Sequence, residues 1–143
     1  MRRLMVVLVA SLLTGCSSGS SGVEEHPLDS MTAVDGSTFR STQVTGHDLV
    51  DQTSIVLTFD GDRLSANAGC NQMSAQASVT DGKLKWVGHP MSTMMACDEA
   101  KTRQDAWLTE LLVGGVQAQT APRRLILTDG DITVDLVNEA TTK

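Results

Sequence analysis

Residues 55–68, IVLTFDGDRLSANA, carry the clearest structural pattern of the chain. On either side of Asp60-Gly61, apolar residues occupy every second position: Ile55, Leu57 and Phe59 before the pair, and Leu64, Ala66 and Ala68 after it. Strict alternation predicts half-buried strands, and Asp-Gly between two such runs predicts a tight hairpin because both residues tolerate positive φ. Residues 55–68 therefore predict an antiparallel hairpin with one apolar face.

The same pattern recurs along the chain. Alternating runs follow Asp81-Gly82 and flank Asp129-Gly130, and a fourth pair, Asp35-Gly36, precedes them all. The segments 38–44 and 117–121 are further strand candidates. Such short strands separated by turn residues are typical of antiparallel sheets and barrels.

One segment has a helical period instead. From residue 98 to residue 113 the apolar residues form one stripe: Trp107, Leu108, Leu111 and Leu112. Acidic residues at its start suit the helix dipole, and Gly114-Gly115 end it. The predicted fold class is α+β and mostly β: a compact antiparallel barrel-like sheet with one helix.

The N-terminus resembles an export signal. Arg2 and Arg3 precede a short apolar run over residues 4–13, and Leu13-Thr14-Gly15-Cys16 resembles the bacterial lipobox. The resemblance implies cleavage before Cys16 and acylation of its sulfur; an ordinary secretion signal with a chance cysteine is the alternative. We expect a signal peptide over residues 1–15 and a lipidated Cys16 with a flexible Ser/Gly-rich tether over residues 16–36.

Composition excludes several kinds of partner. Of the 143 residues only 3% are aromatic, with 2 Trp, 2 Phe and no Tyr, and the formal net charge is −6. Base-stacking platforms and sugar clefts need aromatic faces, and a negative chain repels phosphate backbones. We expect no nucleic-acid partner and a membrane attachment through the lipid on Cys16. The four aromatic rings are expected in the core.

Two cysteines remain once Cys16 is assigned to lipid: Cys70 and Cys97. Outside the cytoplasm such a pair can form a disulfide, which would stabilise the domain by roughly 3–3.5 kcal/mol on the chain-entropy model. Two free thiols or a metal site are the alternatives. The histidines His26, His47 and His89 have no paired spacing, so no metal and no cofactor is expected.

Two motifs carry a family resemblance. Ala68-Gly69-Cys70-Asn71 follows a predicted strand, and Thr93-Met94-Met95-Ala96-Cys97 precedes the predicted helix. In this order they resemble the signatures of the META domain, also called the HslJ-like domain, over residues 37–137, with a C-terminal tail over residues 138–143. The resemblance implies a barrel-like sheet with a helix, an envelope lipoprotein, and no common enzymatic activity.

The resemblance also assigns roles to residues. Both motifs place their cysteines in an oxidising compartment, so we expect a Cys70–Cys97 bridge. The family-motif positions are Gly69, Asn71, Thr93, Met95 and Ala96. Gly69 suits a close backbone approach, and Thr93 a brace before the helix. The methionines Met91, Met94 and Met95 are expected to fill core gaps, with a site for soft copper as the alternative.

The sequence contains no recognisable catalytic constellation. It has no Gly-x-Ser-x-Gly nucleophile motif. Turn formation is sufficient to explain the aspartates of its Asp-Gly pairs. We expect a non-enzymatic protein, exported and anchored to the cell envelope, that binds an unknown envelope protein or supports envelope integrity under stress. The alternatives are a carrier of a small apolar ligand in the barrel and an inhibitor of a secreted hydrolase.

Overall fold

Ten strands, one α-helix and one 3₁₀-helix make up the described part of the computed structural model, residues 22–139. The predicted signal peptide and Cys16 lie outside these residues. The strands are β1 (His26–Pro27), β2 (Thr38–Thr45), β3 (Val56–Asp60), β4 (Arg63–Asn67), β5 (Gln72–Thr80), β6 (Lys83–Trp86), β7 (Met91–Ser92), β8 (Val116–Ala121), β9 (Arg124–Asp129) and β10 (Ile132–Asn138). The 3₁₀-helix is Met31–Val34 and the α-helix, α1, is Glu99–Gly114.

Eight of these strands close into an antiparallel barrel. Their order is β2-β3-β4-β5-β6-β8-β9-β10, and β10 pairs with β2 to complete the ring. The short strands β1 and β7 extend it by pairing with β8 and β5. Closure leaves the barrel strands without a free edge. The predicted mostly-β, barrel-like fold with one helix is confirmed.

The Asp-Gly pairs define three of the hairpins. Asp60 pairs with Arg63 in β3–β4, Thr80 with Lys83 in β5–β6, and Asp129 with Ile132 in β9–β10. Asp35-Gly36 has a different role. The Asp35 Oδ1 accepts a hydrogen bond from the Gly61 N–H at 2.7 Å, which fastens the chain before β2 to the β3–β4 turn.

Side chains fill the barrel interior. The residues predicted to face inward from residues 55–68 are all buried. Trp86 is 0% exposed, and its indole N–H donates to the Leu64 carbonyl at 3.0 Å. The rings of Phe39 and Phe59 pack edge to face with centroids 5.9 Å apart. A large aromatic ring at the centre of a small barrel leaves its interior packed rather than open.

Helix α1 lies across one end of the barrel. Asp98 is its N-cap, because the Asp98 carboxylate accepts from the Lys101 N–H at 2.9 Å. The helix buries Leu108, Leu111 and Leu112 against the core. Within residues 22–139 no helix combines the length and apolarity that a bilayer crossing requires.

Part of the segment that we predicted to be a flexible tether belongs to the folded domain. We assigned residues 16–36 to a flexible segment, but β1 pairs with β8, and Leu28 and Val34 are 1% and 2% exposed in the core. Burial of these apolar side chains offsets the entropy cost of ordering the segment. At the other terminus β10 reaches Asn138, so the predicted tail over residues 138–143 begins inside the fold.

The buried Trp86 provides a test of the packed interior. Replacing Trp86 by Phe removes the donor to the Leu64 carbonyl and leaves a void, so the free energy of unfolding should fall by about 2–3 kcal/mol. Trp107 is only partly buried on α1, and Trp107→Phe should cost less than about 1 kcal/mol. Urea unfolding followed by circular dichroism measures both; equal losses would contradict a packed interior centred on Trp86.

Candidate binding site at the disulfide-linked loops

The two sequence motifs meet in the structure. Cys70 and Cys97 lie at disulfide distance, with Sγ atoms 2.01 Å apart and Cα atoms 6.1 Å apart. Cys70 follows β4, in the turn that we call the Asn71 loop, residues 68–72. Cys97 ends the segment before α1, residues 91–97, which we call the methionine loop. The disulfide therefore links the methionine loop, which connects β7 to α1, covalently to the Asn71 loop after β4.

Asn71 joins these loops to the helix. Its backbone N–H and its Nδ2 both donate to Asp105 Oδ2 of α1, at 2.8 and 3.1 Å. Its Oδ1 accepts from the Met95 N–H at 2.7 Å and from the Thr93 hydroxyl at 3.1 Å. One side chain thus connects three chain segments. The Thr93 brace expected from the sequence is present, since its Oγ1 also accepts from the Gln72 N–H at 3.0 Å.

Two residues of α1 complete this network, and we did not expect them from the sequence. Gln104 is 2% exposed; its Nε2 donates to Thr53 Oγ1 and to the Ala68 carbonyl, and its Oε1 accepts from the Val50 N–H. Asp105 is 6% exposed, and its Oδ1 has no hydrogen-bond partner among the described residues. Both residues lie next to Leu108 in the apolar stripe of the helix. Their position beside that stripe is the sequence feature that could have indicated their burial.

Gly69 permits the close packing of the Asn71 loop. Its φ is +107°, and a Cβ added there would lie 2.7 Å from the Thr53 Cγ2. Any larger residue would need both a strained backbone and a displaced neighbour. The close approach expected at Gly69 is therefore present, and it holds the loop against residues 50–53.

The methionines contradict the sequence prediction. We expected Met91, Met94 and Met95 to fill core gaps, but they are 77%, 97% and 63% exposed. The core at this end is already filled by Met73 of β5, which is 2% exposed, and by the helix. The methionine loop therefore presents thioether side chains to solvent while its backbone is tied down. Ala96, the remaining motif position, is also exposed.

The fourth aromatic ring also differs from expectation. Trp107 lies only partly in the core, because its ring stacks on the His47 imidazole with centroids 3.7 Å apart and planes 3° apart. This contact attaches the chain that follows β2 to the helix. His89 is exposed near the methionine loop, and in residues 22–139 no three His, Cys, Asp or Glu side chains gather as a metal cluster.

A polar groove of about 310 Å³ adjoins the Asn71 loop, lined in part by Arg40, Ser54, Gly69 and Lys101. Both cations already have partners. Arg40 pairs with Glu139 and donates to Ser54 Oγ, and Lys101 lies 3.7 Å from an Asp98 oxygen. The hydrogen bond from the Lys101 backbone N–H holds the pKa of Asp98 below its ordinary value of 3.8, so Asp98 is a carboxylate at neutral pH.

Removing the Asn71 amide tests its connecting role. Asn71→Ala deletes the side-chain hydrogen bonds to Asp105 Oδ2, Thr93 and Met95 and retains the backbone N–H bond to Asp105, so we expect a loss of about 2–3 kcal/mol in unfolding free energy. Asn138→Ala, at the far end of β10, is the matched control and should change it by less than about 0.5 kcal/mol. Urea titrations with the disulfide intact give both values, and two similar small values would show that the network is dispensable.

Two solved structures share this fold. One, described as an NMR structure of a protein, is 21% identical over 75% of this chain and 92% of its own, with a TM-score of 0.61. The other, an NMR structure of a protein from Burkholderia xenovorans, is 20% identical over 77% of this chain and 86% of its own, with a TM-score of 0.60. No curated protein matches the sequence.

The family assignment rests on the sequence itself. Residues 32–141 match the family model of the META domain, a span that includes both motifs, the helix and the C-terminal hairpin. The barrel with its capping helix is the architecture that the two motifs implied. The chain belongs to the META domain family.

Proposed function

We propose that this protein is a non-enzymatic lipoprotein of the bacterial envelope that binds a partner through the methionine loop and so supports envelope integrity under stress. One observation carries the proposal: the methionine loop exposes three large apolar side chains while a disulfide and the Asn71 amide hold its backbone. Exposed apolar side chains on a restrained backbone are typical of interaction surfaces, because the backbone then loses little entropy on binding.

The polar groups of the family motifs support a binding role over a catalytic one. Asn71 and Thr93 of the motifs, and Gln104 of α1 beside them, direct their amides and hydroxyl at other side chains of the network or at backbone groups. A catalytic group needs a free reactive atom within reach of a substrate, with a base and an orienting group beside it. The side chains of this network serve the structure of the loops instead.

The packed interior favours an outer binding surface over an internal one. A carrier of a small apolar ligand would need space within the barrel, whereas Trp86, Phe59 and the inward leucines occupy it. The grooves around the domain are open to solvent and partly polar, as at Arg40 and Lys101. The methionine loop is the more apolar exposed feature, so we place the binding surface there.

A lipid on Cys16 would hold this surface at the membrane. Residues 16–25 precede the first strand, and their Ser/Gly-rich start gives a spacer between the lipid and the domain. Two or three acyl chains suffice for stable attachment, because each buried methylene contributes about 0.8 kcal/mol.

The anchor has a direct test. Cys16→Ala should leave the precursor uncleaved and unlipidated, because only a thiol forms the thioether; Cys70→Ala is the control that retains the anchor. Metabolic labelling with a clickable fatty acid, read by gel mobility and mass spectrometry, measures both. Normal acylation of the Cys16→Ala protein would refute the assignment.

The binding role needs a comparison of surface and core variants. Crosslinking pull-down from the native envelope should capture specific proteins with the wild-type chain. A variant with Met91, Met94 and Met95 changed to Ser should lose them, while Met73→Leu in the core should retain them. Capture that is equally strong with the triple Ser variant would show that the partner binds elsewhere on the protein.

A further inference from the structure

We propose that the methionine loop binds a soft monovalent metal ion, copper(I) or silver(I), through the thioether sulfurs of Met91, Met94 and Met95. The proposal rests on the role of this loop as the binding surface and names the ligand class for it. A metal site here needs no second protein, so it is tested on the purified chain alone.

The donor atoms are free for ligation. Met94 is 97% exposed, and Met91 and Met95 are 77% and 63% exposed, so the hydrophobic core does not use these side chains. Methionine differs from the other apolar residues in its sulfur atom, so a role for the sulfur would explain why methionine is used in a solvated loop. Thioethers are soft, uncharged donors that select copper(I) over hard cations such as magnesium and calcium.

The backbone brings the three residues into one short, restrained span. Met91 lies on β7, opposite Ser74 of β5. The Thr93 N–H donates to the Gln72 carbonyl at 3.0 Å, and the Met95 N–H donates to Asn71 Oδ1 at 2.7 Å. The span ends at Cys97 in the disulfide. Unbranched methionine side chains with several rotatable bonds can then converge on one ion from fixed starting points.

The charges beside the loop do not oppose a cation. Asp98 and Glu99 follow the loop at the start of α1, where they pair with Lys101 and Arg103 and balance their charge, and the whole chain carries a formal charge of −6. His89, exposed two residues before Met91, supplies an imidazole that copper(I) also accepts. Cys70 and Cys97 are joined to each other, so thioethers are the soft donors that remain at this end of the domain.

Silver(I) is the suitable probe, because it shares the ligand preference of copper(I) but does not cycle its oxidation state. Silver nitrate is titrated by calorimetry into the full chain, purified in chloride-free buffer with the disulfide intact. We expect saturable binding near one ion per chain. In two-dimensional NMR of methyl-labelled protein, the methyl signals of Met91, Met94 and Met95 should shift and that of Met73 should not.

The matched variants replace the loop methionines by leucine, which has a similar size and apolarity. Because these positions are exposed, we expect the variants to fold normally. The triple Leu variant at positions 91, 94 and 95 should bind silver at least about tenfold more weakly, equivalent to 1.4 kcal/mol. Met31→Leu, in the 3₁₀-helix, should bind like the wild type.

Two results would overturn the proposal: no saturable binding by the wild type, or equal binding by the triple Leu variant. Partner capture that is retained by the triple Leu variant and lost by the triple Ser variant, with silver binding absent throughout, would reject the metal site and leave the partner-binding role standing. Silver binding without any partner capture would support the metal site alone.

Discussion

The Asn71 side chain holds together three segments that strand pairing alone would leave apart. Its amide accepts from the methionine loop, donates to Asp105 on α1, and sits next to the Cys70–Cys97 bridge. Buried and partly buried amides that satisfy several donors and acceptors at once impose one arrangement, because each broken bond leaves a polar group without a partner. It therefore connects the helix, the turn after β4 and residues 93–97, together with the buried leucines of α1 and the disulfide.

The sequence predicted the barrel well because its signals are local. Alternation with period two, as in Ile55, Leu57 and Phe59, and Asp-Gly pairs at turns act over a few residues, and the structure follows them. The acidic residues at the start of the predicted helix are also a local signal, and one of them, Asp98, caps the helix through its carboxylate. Membership of the META family agrees with these local patterns.

The errors occurred where tertiary contacts override local pattern. Leu28 and Val34 lie within a polar stretch that predicts a tether, but they are buried in the core. Met91, Met94 and Met95 are apolar, yet the core at this end was complete without them. Gln104 and Asp105 are polar, yet they are buried, because their partners are the Ala68 carbonyl and the Asn71 amide. Sequence periodicity does not indicate which long-range partner a polar side chain will meet.

The candidate site lies at the outer end of the barrel, and the packed interior does not favour the alternative of an internal apolar ligand. Side chains occupy the interior, and the motif residues that the family resemblance assigned serve to hold a loop whose methionines face solvent. The polar network and the exposed methionines are thus two parts of one site: the first positions the second.

Native-state hydrogen exchange of the Met95 amide tests this account, because its N–H is donated to Asn71 Oδ1 in an otherwise exposed loop. We expect the Met95 amide of the oxidised protein to exchange only through large-scale opening, with protection close to that of the Leu64 amide in the barrel. Exchange of Met95 at the rate of an unprotected loop amide, with Leu64 still protected, would contradict the claim that Asn71 holds the methionine loop in place.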